Sequence, residues 1–154
     1  MMLDDVKVHV RLKLSALWAS LMFCYVYCDY FELYQRGKLQ GMLQGRMAPF
    51  APASQGVLLA ASVVMAIPSV MVFVSLVLRP SADRWVNVVV GSMYSAIMLA
   101  IVAAPGVWMF YRFMGTVETV LSLLIVWHAW TWPKSPSEQA PFSPAPPSAR
   151  RAVS

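Results

Sequence analysis

Apolar residues in this chain gather into four long runs, Leu14–Phe31, Val57–Leu78, Trp85–Ala104 and Trp108–Trp132, set apart by short polar segments. Each run approaches the roughly 20 residues that carry an α-helix across about 30 Å of hydrocarbon. Helix is the expected form, because lipid offers no partner to an unpaired N–H or C=O. The alternating pattern of a membrane β-strand is missing from VLLAASVVMAIPSVMVFVSLVL at 57–78. The pattern therefore predicts an all-α fold, an integral membrane four-helix bundle spanning 14–132, with helices over about 14–34, 57–78, 85–104 and 108–132. Before it lies a polar lead, 1–13, and after it a Pro/Ser-rich tail, 133–154, whose composition predicts flexibility. The connection 35–56, QRGKLQGMLQGRMAPFAPASQG, argues against a stable helix by its Gly, Gln and Pro content. RPSADR at 79–84 reads as a tight polar turn, and Ala104-Pro105-Gly106 breaks the last two runs apart.

Composition agrees. The 154 residues are 59% hydrophobic and 12% charged, against roughly 25% charged in an ordinary soluble domain. So short a soluble chain has too little interior for that much apolar surface; a bilayer takes the place of the core. The net charge of +5 does not imply a nucleic-acid partner, since the positive residues flank the runs and form no stripe interleaved with aromatics. They read as topology signals instead. Lys7, Arg11, Lys13, Arg79, Arg84, Lys134, Arg150 and Arg151 fall on one side, and Arg36, Lys38, Arg46 and Arg112 on the other. Eight against four places both termini in the cytoplasm. The basic lead and first run imitate a signal peptide but lack a small-x-small cleavage site, so an uncleaved anchor is expected.

Function-bearing residues are few. Asp29 and Glu118 are carboxylates inside apolar runs, and acids at membrane depth usually serve a purpose. On the first helix Trp18, Met22, Tyr25, Asp29 and Glu32 share a stripe, with Leu21 and Cys28 beside it. On the last, Tyr111, Glu118, Ser122, Ile125 and Ala129 share another. Gly115, Ser122 and Ala129 recur every seven residues, a small-residue seam that lets a second helix approach. Glu118 on that seam should face the bundle. Asp29 lies sixteen residues past Lys13, roughly 24 Å along a helix, so both acids are expected in one outer layer. Ser62, Tyr94 and Ser95 are expected to reach that layer. The candidate site is thus an outward-facing cleft of Glu118, Asp29, Tyr25, Ser62, Tyr94 and Ser95, suited to a cation, a proton or a small polar ligand. The competing reading is a structural network: Glu118 bonded to Ser or Tyr, with Asp29 solvated at the interface.

Other chemistry is sparse. Cys24 and Cys28 are one turn apart on a single helix, too far for an easy bridge, and read as packing residues. His128, in WHAWTW, is a possible single axial ligand to a haem or pigment, but no second transmembrane His accompanies it; an interfacial His in a Trp belt is the plainer reading. No metal site or cofactor is indicated, and no nucleotide loop, zinc signature or serine-nucleophile motif occurs. Pro68 lacks the N–H that would bond four residues back, so it frees a carbonyl in the second run.

Several stretches, KLSALWASLMFCYVYCDY (13–30), AIPSVMV (66–72), DRWVNVVVG (83–91) and ETVLSLLIVWHAWTW (118–132), resemble a bacterial family of small four-helix membrane proteins catalogued as domain-of-unknown-function family 6326. The resemblance implies a multi-pass protein of the bacterial cytoplasmic (inner) membrane, with Asp29, Arg84, Trp85, Asn87 and Glu118 as pattern residues. The pattern also has an acid before Ile-Pro, where this chain has Ala66. It implies no activity. A looser likeness to DoxX-type proteins is architectural only.

Three functions are open at this point. The first is a non-enzymatic accessory or structural subunit of a larger membrane complex, with the bilayer and other subunits, or copies of itself, as partners. The second is a ligand-binding or transport bundle that uses Glu118 and Asp29. The third is a redox or quinone-linked membrane protein.

Overall fold

A computed structural model describes residues 8–47 and 52–132. The start of the lead, part of the long connection and the Pro/Ser-rich tail lie outside the described residues. The elements are α1 (Val10–Glu32), α2 (Lys38–Leu43), α3 (Gln55–Val77), α4 (Pro80–Ala103) and α5 (Met109–Trp130). α1, α3, α4 and α5 are each long and apolar enough to cross a membrane.

Local chemistry sets the helix starts. The His9 ring accepts from Arg11 N at 3.3 Å at the head of α1, and Ser54 Oγ accepts from Val57 N at 3.2 Å at the head of α3. Both bonds satisfy donors that the first turn leaves free. Pro80 is the first residue of α4, where its missing N–H has no function to lose.

That last start corrects the expected turn at 79–84. Only Leu78 and Arg79 separate α3 from α4; Ser81, Ala82 and Asp83 already lie in the first turn, with Asp83 N donating to Arg79 O at 2.9 Å. Proline here opens a helix instead of forming a loop. The expectation for 35–56 is corrected as well, because its middle holds the six-residue α2. Gly37, in the left-handed region at φ 79°, reverses the chain ahead of it, and Gly45 at φ 70° leaves it. The Lys38 ammonium donates to the Glu32 carboxylate and ties α2 back to the end of α1.

α4 and α5 form an antiparallel pair with the most extensive contact in the bundle. α1 packs between α5 and α3, and α3 touches α4 only slightly. Small residues bring α4 and α5 together. A Cβ on Gly91 would lie 3.0 Å from Val126 Cγ2 and 3.3 Å from Ile125 Cγ2, and one on Gly115 would lie 2.6 Å from Val102 Cγ2. Gly115, Ser122 and Ala129 are all buried, as the seam predicts. The centre is filled by Leu14, Trp18, Leu21, Tyr25, Met71, Tyr94, Met98, Ile125 and Ala129. Large apolar residues such as Phe73, Val89 and Phe113 point outward, the arrangement of a bundle whose solvent is lipid.

Candidate functional site

The buried face of α1 is Leu14, Ser15, Trp18, Leu21, Tyr25 and Cys28. It ends on Cys28, one step around from the expected stripe, which ran on through Asp29 to Glu32, and Asp29 itself is exposed. On α5 the buried face is Gly115, Glu118, Thr119, Ser122, Ile125 and Ala129, which places Glu118 as the small-residue seam predicts.

Glu118 is the centre of the half of the bundle where α1 ends and α5 begins. Its side chain is 2% exposed, and Oε1 is buried with no hydrogen-bond partner. The Tyr25 hydroxyl, on α1, is likewise buried and unpartnered. Tyr25, Cys28, Tyr111 and Asp29 lie within electrostatic reach of the Glu118 carboxyl. α1 and α5 are in direct contact, so the two orphaned groups are contributed by neighbouring helices. A buried, unpaired polar atom ordinarily costs about 1–3 kcal/mol. Two of them in one neighbourhood call for an explanation.

The other predicted residues have different engagements. Tyr94 is buried against Trp18, edge to face with centroids 6.2 Å apart, and lies 6.3 Å from Tyr25. Its hydroxyl donates to the Val64 carbonyl of α3. That carbonyl lies four residues before Pro68 and is the one the proline leaves without a helical donor. Ser95 Oγ is buried and donates to Gly91 O at 2.8 Å on its own helix. Ser62 is exposed and donates to Leu58 O at 2.8 Å, also on its own helix. His128 Nδ1 lies 2.8 Å from Leu124 O. Among the described residues, no group of three His, Cys, Asp or Glu side chains stands together as a metal site.

A second buried centre lies at the opposite end of the bundle, and the expected turn at 79–84 concealed it. Asp83 and Asn87, one turn apart on α4, are both fully buried. Asn87 Nδ2 donates to Asp83 Oδ1 at 2.6 Å and to Asp83 O at 2.9 Å. Asn87 Oδ1 accepts from Trp18 Nε1 of α1 at 2.7 Å and from Ser75 Oγ of α3 at 3.2 Å. One amide thus joins three helices. Beside it Arg11 donates to the final carbonyls of α3, Leu76 O at 3.3 Å and Leu78 O at 2.8 Å, and Ser15 Oγ donates to Val72 O at 2.8 Å. Asp83 Oδ2 and Arg11 Nε are buried and unpartnered. The sequence signal was available: Pro80 as a helix start puts Asp83 four residues before Asn87, on the same face.

Fold and interior define an all-helical protein with four segments apolar enough to span a membrane and carboxyl groups buried between them. Its family follows from the comparison with known proteins. A family of unknown function, DUF6326, matches residues 3–138, and the chain belongs to it. No curated protein and no solved structure matches the chain.

Proposed function

We propose that this is a multi-pass membrane protein of the bacterial cytoplasmic membrane, with both termini inside, whose working centre is the Glu118 carboxyl. In this reading Glu118 binds a proton or a small cation, the Tyr25 hydroxyl is its neighbour, and Asp29 lies nearer the outer surface, where it attracts cations toward it. One observation carries the reading: Glu118 Oε1 and Tyr25 Oη are both buried and both without a partner. A purely structural acid would be expected to satisfy itself on the hydroxyls nearby, yet Ser122 Oγ donates to backbone at Glu118 O and Thr119 O, and Thr119 Oγ1 to Gly115 O. The interior here is occupied by side chains, with Tyr25 at 4% and Tyr94 at 2% exposure, which favours an occupant no larger than a proton or a monatomic ion.

A ligand that binds only the folded state raises its stability. Unfolding of the purified protein in detergent, followed over a series of sodium, potassium and proton concentrations, tests this. The expected result is a midpoint that moves with one of these ions in the wild type and stays fixed in a folded Glu118→Gln variant. An identical response in both proteins would remove Glu118 from the site.

A second reading, a subunit of a larger membrane assembly, rests on α3. Only Pro68, Met71 and Ser75 of its 23 residues are buried, and its contact with the bundle is mainly through α1. Its outer face is open to lipid or to another helix. Chemical cross-linking in intact membranes checks this: a discrete higher-mass species would support an assembly, and recovery of the monomer alone would count against one.

A further inference from the structure

Where α4 begins and α5 ends, Arg84 stands in a corner made by two indole rings. Its guanidinium carbon lies 5.5 Å from the centroid of Trp130 and 6.0 Å from that of Trp85. The rings are 6.5 Å apart and nearly perpendicular, at 89°. Both distances are within cation–π range. Trp85 and Trp130 are 58% and 57% exposed, so the corner opens outward. The acid next in sequence does not neutralise the cation, because Asp83 is turned fully inward onto Asn87. Among the described residues the Arg84 side chain makes no hydrogen bond or ion pair; the ion pair found among them, Lys38–Glu32, joins α1 to α2.

We propose that Arg84, Trp85 and Trp130 form a binding site for the headgroup of an anionic phospholipid. The chemistry is a phosphodiester held by a guanidinium. Indole contact uses the positive charge through the ring face, while the N–H groups lie in the guanidinium plane, where they match two phosphate oxygens at once. The rings hold the side chain in place, so little rotamer freedom is lost when the lipid arrives. The position favours lipid over free phosphate. Trp rings belong at the membrane–water boundary, and two half-exposed indoles beside the cation offer an apolar seat to the glycerol and upper acyl chain. The negative phosphate then meets the one unneutralised charge of this corner. The site is independent of Glu118, on other residues and at the other end of the bundle.

The test uses the full-length protein in detergent, with native mass spectrometry after addition of phosphatidylglycerol, phosphatidylcholine or inorganic phosphate. The expected result is retained phosphatidylglycerol, with Arg84→Gln reducing retention on the order of tenfold, as loss of a charge-assisted bidentate contact implies. Arg84→Lys, which keeps the charge and loses the fork, should fall between them. Arg79→Gln removes a charge five residues away, outside the corner, and should leave retention near wild type. Equal loss in Arg79→Gln and Arg84→Gln would overturn the site in favour of general attraction to basic residues. Retention unchanged in both Arg84 variants would also overturn it. Displacement of the lipid by equimolar inorganic phosphate would show a free-phosphate site and contradict the lipid assignment.

Discussion

Pro68, Val64 and Tyr94 show how one residue's missing atom is met by another's hydroxyl. Proline takes the helical donor from Val64 O, and Tyr94 supplies one from the next helix. Tyr94→Phe should therefore cost about 1–3 kcal/mol, since it leaves the part-buried Val64 carbonyl unpaired in apolar surroundings. In a Pro68→Ala background the helix supplies its own donor, and the same change should cost much less. A double-mutant cycle on thermal unfolding measures the difference; additive effects would separate the two residues. Asn87 concentrates more bonds in one side chain. Asn87→Leu strands Trp18 Nε1, Ser75 Oγ and Asp83 Oδ1 together, and its expected cost, several kcal/mol at about 1–3 for each orphaned group, should exceed that of Ser75→Ala in the same assay. The freed carbonyl at Pro68 and the inward face of Glu118 were both legible in sequence, because each follows from counting positions on one helix. The partner of the carbonyl and the bonding of Asn87 were not, because they depend on which residues of other helices arrive at the same level.

Helices carry the next set of consequences. The four long elements were legible from apolar runs, and their bounds shift by only a few residues at most ends. The start of α4 was not, since Pro80 reads equally as a turn residue or a first helical residue, and the choice moved Asp83 from a loop into the interior. α2 was missed because six residues between glycines carry too little periodicity to show. Ser62 was placed by its level along the helix, and level does not say which face of α3 meets the bundle; with α3 packed mainly on α1, that face is Pro68, Met71 and Ser75. Between α4 and α5 the spacing depends on glycine. Gly91→Leu must displace Val126, Ile125 or the Ser122 carbonyl, an overpacking that should cost about 1–3 kcal/mol. Gly41→Ala meets nothing within 4 Å and is the control that should leave the unfolding midpoint unchanged.

Across the whole molecule, polar groups are divided between two interior levels. One level holds Asn87, Asp83 and Arg11, and there the Asn87 amide and the Arg11 guanidinium tie α1, α3 and α4 together, leaving Asp83 Oδ2 and Arg11 Nε unpartnered. The other holds Glu118 and Tyr25, whose Oε1 and Oη are buried with no partner and with no side-chain bond to another helix among the described residues. The cross-helix bonds of the first arrangement suit a clamp, whereas the Glu118 carboxyl bonds to no neighbouring helix, which is why we propose Glu118 as the working centre. Infrared spectroscopy of the protein in lipid, titrated from acid to alkaline, tests that assignment most directly. The account predicts a carboxylic C=O band that disappears on titration, is absent from Glu118→Gln and is shifted in Tyr25→Phe. Carbonyl-region spectra that superimpose for wild type and Glu118→Gln, or a Glu118 band that Tyr25→Phe leaves unmoved, would contradict it.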